Sequence, residues 1–279
     1  MRIFEKMSNG WNLGMTSLEI IRDNKKLLLF PVLSSIALIF VSLTFLGGLF
    51  ASTGLDIDRF AERFAGDNQV LTYLVLFAFY LVSYFVIVFF NMALIHCARL
   101  AFDGKEVSLS DGLNFSGSRL SVIFSWALVS ATVGVILKFL EDRLGTIGDI
   151  VVNLVGAVWS IATFFAVPVI AYENVGPIEA VKRSGLIMKE KFGESIGANF
   201  SFGAFFLLGY LLIGLGTFAL FFVHPVLAIV AAVLAALLLH TIVAAAKSVF
   251  IAATYNHLND HAAGRFDDSN VLDSIFVQK

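Results

Sequence analysis

The long apolar segments of this sequence contain a few polar or ionisable side chains, each of which requires a physical reason, and three of them are candidates for a functional site. His240 lies in the middle of the apolar segment 226–254, and Lys247 follows seven residues later on the same helical face. Asn91 lies in the apolar segment 70–98. Because an imidazole changes its charge near neutral pH, His240 is a candidate gate. The three residues are predicted to line a pore or an anion-accepting pocket.

A structural interpretation of the same residues stays open. A neutral His240 can hydrogen-bond to a neighbouring helix, Lys247 can extend its ammonium group toward the membrane surface, and Asn91 can join two helices. Ala236 and Ala244 lie one turn to either side of His240, and small residues let helices approach closely. His240 is therefore expected to face protein or a cavity rather than lipid.

The sequence offers little support for catalysis. The apolar segments contain neither Asp nor Glu, although proton-coupled transporters and pumps relay protons through buried carboxylates. The motifs HExxH, GxxxxGK[ST], GxSxG and GxGxxG do not occur. The chain is therefore predicted not to be an enzyme and to use no cofactor.

One pair of histidines has a spacing that metal sites use. His257 and His261 are four residues apart with Asp260 between them, and two imidazoles at this spacing can share a metal ion. His96 or Cys97 is the candidate third ligand. Because the spacing is common by chance, no metal site is predicted. Cys97 is also the single cysteine, so no intramolecular disulfide can form.

The composition is that of an integral membrane protein. Of the 279 residues, 58% are hydrophobic, and the mean hydropathy is +0.88. Charged residues make up 14%, against roughly 25% in soluble domains. A membrane helix needs about 20 apolar residues, and the gaps between charges predict six such spans. They are 27–50, 70–98, 120–140, 150–172, 199–223 and 226–254.

The distribution of basic residues predicts the orientation, because Lys and Arg concentrate on the cytoplasmic side. Fourteen of the 19 lie in the segments 1–26, 99–119, 173–198 and 255–279. Both termini are therefore predicted to be cytoplasmic, in the inner (plasma) membrane of the cell. Lys138 lies near the outer end of its span and is expected to anchor that end at the membrane surface.

Three segments on the predicted cytoplasmic side have the pattern of helices that lie in the membrane interface. They are 9–25, 108–119 and 177–193, and each precedes an odd-numbered span. The side chains predicted to contact the interface are Trp11, Met15, Leu18, Val181, Lys182, Met188, Lys189 and Phe192.

The even-numbered spans end in similar sequences, which suggests an internal repeat. These are FFNMALIHCARL (89–100), FFAVPVIAYENV (164–175) and VFIAATYNHLND (249–260). The predicted fold is an all-α integral membrane protein whose six transmembrane helices form three hairpins, each preceded by a cytoplasmic interfacial amphipathic helix. Chance likeness between apolar segments is the alternative. Residues 1–279 are expected to form a single membrane domain, with 255–279 as a cytoplasmic tail.

Proline positions predict largely unbroken spans. Pro31, Pro168 and Pro225 all fall near predicted helix ends. Deeply interrupted helices, such as those of many transporters, are therefore not expected.

Several stretches carry a resemblance to a known group of proteins. The opening GWNLGMTSLEIIRDNKKLLLFPVLS (10–34) resembles an uncharacterised family of six-span bacterial membrane proteins known as a domain of unknown function. The stretches YFVIVFFNMALIHCA (84–98) and GPIEAVKRS (176–184) fit the same pattern. The resemblance implies a six-span fold and brings no activity or site residue with it.

The favoured functional hypothesis is an oligomeric channel or pore for small solutes or ions. It fits the absence of buried carboxylates, the short outer loops and the polar residue at mid-depth. A lipid-interacting scaffold or carrier of hydrophobic molecules is an alternative, as is an accessory subunit of a membrane complex. A wetted axial path would support the pore, and an apolar groove that opens sideways would support a lipid role.

The expected partners follow from the same features. They are membrane lipids and further copies of the chain in a homo-oligomer. Nucleic acid is excluded as a partner, because a net charge of −2 leaves no basic excess.

Overall fold

The computed structural model describes residues 2–54, 56, 69–190, 192–259, 261 and 263. Every regular element in these ranges is a helix, as the composition predicts. The helices are α1 (Arg2–Asp23), α2 (Leu29–Ala51), α3 (Gln69–Phe102), α4 (Leu109–Gly117), α5 (Leu120–Ala162), α6 (Ala166–Glu173), α7 (Pro177–Glu190), α8 (Phe192–Phe221) and α9 (Pro225–Leu258). A short 3-10 turn, Lys25–Leu28, joins α1 to α2.

Five stretches are long and apolar enough to cross a membrane, which confirms five of the six predicted spans. They are Lys25–Ala51, Val70–Phe102, Leu120–Gly145, Gly148–Glu173 and Pro225–Leu258. Their surfaces are apolar as well: the side chain of Phe40 is 66% exposed and that of Val70 is 71% exposed. Water opposes such exposure and lipid does not, so the chain is a multi-pass membrane protein.

The remaining predicted span, 199–223, falls on α8. The described apolar part of this helix, Phe205–Phe221, is shorter than the helices that qualify as spans. A sixth crossing of the membrane therefore stays a prediction.

A single glycine separates the third and fourth spans within α5. Gly145 has φ 55° and ψ −135°, a conformation that glycine adopts far more readily than any residue with a Cβ. Gly148 lies so close to the preceding helix that a Cβ there would be 2.9 Å from the carbonyl oxygens of Leu140 and Glu141. The turn between the two spans thus requires glycine at 145 for its backbone conformation and at 148 for lack of space.

The fourth span is interrupted close to Pro168, one of the prolines that the sequence places near helix ends. Helix α5 ends at Ala162 and α6 begins at Ala166, so the break lies ten residues before the end of the span at Glu173. Pro168 supplies the cause. A proline ring clashes with the carbonyl group four residues earlier, here that of Phe164, and cannot donate to it. Proline at the third position of the short α6 avoids this clash.

The chain divides into two compact units. One comprises Met1–Val32, Ala93–Leu113 and Ile187–Lys279, and the other comprises Leu33–Met92 and Asn114–Leu186. The single membrane domain expected from the sequence stays a prediction.

The first unit has its core at the end of α9. All eight residues from 249 to 256 are buried, so this part of the helix is enclosed on every side. Helix α1 packs against both α8 and α9. Gly14 on α1 makes the approach to α8 possible, because a Cβ there would overlap the ring of Phe205. Leu27 and Phe30 are fully buried in the same unit.

The three predicted interfacial segments each contain a helix, namely α1, α4 and α7. The end of α9 corrects one boundary: the helix runs to Leu258, and Tyr255 and Asn256 are 3% and 1% exposed. The first residues of the predicted tail 255–279 are therefore part of the core of the first unit. Residues 264–279 of that tail lie outside the described residues.

Candidate functional site

The predicted pore residues His240 and Lys247 both lie on the exposed surface of α9. One side of the His240 ring is covered by Phe206, whose ring centroid is 5.9 Å away. Because the His240 side chain is exposed apart from this contact with described residues, its burial against protein stays a prediction. Asn91 on α3 is half-buried, and its Oδ1 atom has no hydrogen-bond partner in the described part of the chain.

The predicted interface residues differ in exposure. Met15 is exposed, Leu18 and Val181 are half-buried, and Lys182 and Lys189 are exposed. Met188 is 2% exposed, so it belongs to the protein interior and cannot contact the membrane interface as predicted. The physical reason is its position one turn beyond Ser184 and two turns beyond Ala180, which are both fully buried on the same face of α7. The side chains of Trp11 and Phe192 lie outside the described residues.

The candidate metal ligands do not form a site in the described residues. No group of three or more His, Cys, Asp or Glu side chains comes together there. His257 is half-buried and His261 is exposed. Cys97 is fully buried and its thiol donates to the carbonyl oxygen of Ser108, 3.4 Å away.

The three similar sequence segments do share a structural property. Each contains a run of buried residues at the end of its span. These are Met92–Ile95 with Cys97 and Ala98, Phe165 and Ala166 with Pro168–Ala171, and Val249–Asn256. The helices α1, α4 and α7 also share a property, since each contributes one serine with no exposed surface: Ser17, Ser116 and Ser184.

Two of these serines fix the backbone near the similar segments. The hydroxyl group of Ser116 donates to the carbonyl oxygen of Phe89 at 2.9 Å. The hydroxyl oxygen of Ser184 accepts from the amide of Phe165, also at 2.9 Å. Phe165 lies in the break between α5 and α6, where the helical hydrogen-bond ladder is interrupted. Ser184 thus provides a hydrogen-bond acceptor for the buried amide of Phe165, which the interrupted helix does not pair.

An open groove lies among α2, α3 and α5 in the second unit, with a volume of about 370 Å³. Its walls are almost entirely apolar. The lining residues are Ser42, Phe45, Leu46, Leu49, Thr72, Val75, Leu76, Phe79 and Lys138. Phe45 and Phe79 meet edge to face across the two helices at 5.5 Å and form the back of the groove.

The polar rim of this groove is an ion-pair cluster on α5. Lys138 Nζ lies 3.1 Å from Glu141 Oε2 and 3.0 Å from Asp142 Oδ1. The hydroxyl group of Tyr73 donates to Asp142 Oδ2 at 3.1 Å. The side chains of Lys138, Glu141 and Asp142 are 40–43% exposed, so the cluster is accessible from outside the protein.

The groove occupies corresponding ends of three spans. Its lining runs from Ser42 to Leu49 near the end of α2 and from Thr72 to Phe79 near the start of α3. Each run covers about 10 Å at roughly 1.5 Å per residue. The hydrocarbon depth of one leaflet is about 15 Å, half the usual core thickness. The lining thus covers about two thirds of the depth of one leaflet, and Lys138 lies near the end of the third span.

Two further apolar grooves have similar volumes. One of about 400 Å³ lies on the other side of the α2–α3 pair and shares Phe45, Leu49 and Val75 with the first. Another of about 400 Å³ lies between α8 and α9 in the first unit and includes Thr217 and Ala232. Lys138 distinguishes the first groove, since neither of these two has a charged lining residue.

Sequence reasoning found Lys138 but assigned it only an anchoring role. The spacing of Lys138, Glu141 and Asp142 at i, i+3 and i+4 was the available signal, because it places all three on one helix face. Ser184 was missed entirely. The groove itself depends on how three helices diverge, which no single segment encodes.

The comparisons with known proteins give a family and no activity. A family model described as a family of unknown function, DUF6159, matches residues 70–266. The match includes five of the nine lining residues of the groove and leaves out the four on α2. The comparison with curated proteins gives no match.

Proposed function

Because the chain belongs to the DUF6159 family, whose description assigns no activity, we propose a function from the structure itself: the protein binds a membrane lipid in the groove among α2, α3 and α5. The observation that carries this proposal is an open, almost entirely apolar groove whose one charged lining residue, Lys138, belongs to an ion-pair cluster. Acyl chains match the apolar walls, and headgroups match the cluster. The proposal includes no catalytic step.

The size of the groove supports a small amphiphilic occupant. Its volume of about 370 Å³ falls within the range of about 300–1,000 Å³ that is typical of ligand sites. A typical ligand site also combines mostly apolar walls with a few polar groups that fix orientation. Here Lys138 and the carboxylates that it contacts are those groups.

The proposed arrangement in the membrane follows the sequence prediction. Helix α8 provides the sixth crossing, the six spans form three hairpins, and both termini lie on the cytoplasmic side of an inner (plasma) membrane. Helices α1, α4 and α7 lie at that same membrane surface. This arrangement puts the ion-pair cluster of Lys138 at the outer surface, and the groove then takes its lipid from the outer leaflet.

The proposal is tested by filling the groove. Leu46 lines it and is 59% exposed, so Leu46→Trp should occupy its space without disrupting the core. We expect the variant to retain less lipid than the wild type after purification in mild detergent. The measurement is native mass spectrometry of the intact protein, with lipid extraction to count the bound molecules.

Leu43→Trp is the matched control. Leu43 lies one turn earlier on the same helix, is 62% exposed and does not line the groove. This variant should retain as much lipid as the wild type. Equal lipid retention by the two tryptophan variants would contradict binding in the groove.

A second candidate is the pore that the sequence favours, and one observation supports it. His240 and Lys247 lie on the exposed face of α9, and polar residues exposed at membrane depth usually contact water or another helix. In this proposal several copies of the chain surround a shared axis that these faces line. The mass of the protein in nanodiscs distinguishes the candidates, because a monomer has no such axis.

A further inference from the structure

We infer that the rim of the groove selects a phospholipid whose headgroup carries a phosphate beside a primary amine. This inference rests on the proposed function, because it concerns the headgroup of the lipid that the groove binds. It is carried by the charge arrangement of the cluster around Lys138.

The cluster presents both signs of charge at the mouth of an apolar site. Lys138 supplies an ammonium group that lines the groove, and Glu141 and Asp142 lie within 3.1 Å of it. Arg143 follows on the same helix, with its guanidinium carbon 5.3 Å from the centroid of the Phe139 ring. The segment 138–143 therefore carries two positive and two negative side chains.

A balanced cluster favours a headgroup that is itself balanced. The phosphate of a zwitterionic lipid can contact Lys138 while its ammonium group contacts the carboxylates of Glu141 and Asp142. An anionic headgroup gains the first contact but meets two adjacent carboxylates, which oppose it. Complementary charge patterns of this kind contribute more to selectivity than to total affinity.

Hydrogen bonding separates a primary amine from a quaternary one. An ammonium group has three N–H donors, and an ionised carboxylate accepts through both of its oxygens. A quaternary ammonium group has no N–H, and proteins recognise it with cages of aromatic faces. At the rim, the rings of Tyr73 and Phe139 pack edge to face against each other at 5.7 Å, and the Tyr73 hydroxyl group is bound to Asp142. The rim thus offers acceptors rather than a cage.

The test measures which lipid the full-length protein selects from a defined mixture. The protein is reconstituted in vesicles of equal parts phosphatidylethanolamine, phosphatidylcholine and phosphatidylglycerol, re-extracted in mild detergent, and its bound lipids are quantified. We expect phosphatidylethanolamine to be enriched roughly twofold over its one-third share of the vesicle, since partly exposed charge pairs contribute up to about 1 kcal/mol, which is about a fivefold preference over each competing lipid. Enrichment of either other lipid would overturn the inference.

The double variant Glu141→Gln with Asp142→Asn tests the role of the carboxylates. It should lose the preference for phosphatidylethanolamine but keep the total number of bound lipids. The control is Asp103→Asn with Glu106→Gln, which removes two exposed carboxylates from the α3–α4 loop and should keep the preference. An unchanged preference in the rim variant would overturn the inference.

Failure of the headgroup inference is distinguishable from failure of the proposed function. Leu46→Trp tests the groove through the total amount of bound lipid, whereas the rim variant tests selectivity through the composition of that lipid. If Leu46→Trp loses lipid but the wild type shows no headgroup preference, lipid binding in the groove would be supported and headgroup selectivity would be rejected.

Discussion

Gly112→Ala is expected to lower the free energy of unfolding by roughly 1–3 kcal/mol, the usual cost of overfilling a packed interior. A Cβ at Gly112 would lie 2.6 Å from Cζ of Phe30 and 2.9 Å from Sγ of Cys97. Both of these side chains are fully buried, so neither can move aside freely. The free-energy cost of this clash should exceed the gain from the higher helix propensity of alanine, which is at most about 1 kcal/mol. Unfolding by SDS titration from mild detergent measures the change.

Gly117→Ala on the same helix is the matched control. A Cβ at Gly117 meets no atom within 4 Å, so this variant should be neutral or slightly stabilised. Combining Gly112→Ala with Phe30→Leu should recover part of the loss, because the smaller side chain removes the closest contact. Equal stability of the two alanine variants would show that α4 does not pack on Phe30 as described.

Ser184→Ala is expected to destabilise the protein by roughly 1–3 kcal/mol, because the buried amide of Phe165 loses its acceptor. Water cannot replace the hydroxyl group, since Phe165 and Ser184 have no exposed surface. The cost arises at the break before α6, where the helical ladder cannot supply another carbonyl group. The same SDS titration measures it.

Ser118→Ala provides the comparison for this loss. Ser118 lies exposed in the turn after α4, and its hydroxyl group donates to the carbonyl oxygen of Phe115, which water can satisfy instead. Its substitution should change stability by less than about 0.5 kcal/mol, as at ordinary surface positions. A similar loss in both serine variants would contradict the specific role of Ser184.

Hydropathy predicts the spans well, because each span is a local property of about 20 residues. The predicted segments 27–50 and 70–98 correspond to Lys25–Ala51 and Val70–Phe102, with ends that differ by a few residues. The helical character of the segments around Met15, Leu113 and Val181 was equally local. Predicting these features requires only the hydropathy, periodicity and charge of each segment by itself.

Features that depend on two distant segments were not predictable in the same way. Pro168 was recognised as a residue near a helix end, but the sequence did not show that Ser184, nineteen residues after Phe165, accepts from the amide of Phe165 in the break. Met188 looked suitable for a membrane surface, and packing of α7 places it inside the protein. Periodicity identifies an apolar face but does not say whether lipid or protein covers it.

The groove illustrates the same limit for the candidate site. In the sequence, Phe45 and Phe79 are ordinary apolar residues of two different spans. The structure shows that their rings contact each other and that α2 and α3 leave an open groove beside this contact. His240 attracted attention because an ionisable residue in an apolar segment is rare. Apolar residues that form a lipid site carry no such signal, since every lipid-facing surface has the same composition.

The most direct test of lipid binding in the groove is photolabelling with a phosphatidylethanolamine that carries a diazirine in its acyl chain, followed by mapping of the labelled peptides. The segments 42–49 and 72–79 line the groove, whereas 150–161 on α5 is a comparably apolar segment with most of its residues exposed and lines none of the three grooves. If the groove binds lipid, label should concentrate in the first two segments and fall when excess unlabelled phosphatidylethanolamine is added. Labelling of all three segments in proportion to their exposure would show passing contact with the bilayer and would contradict the proposed function.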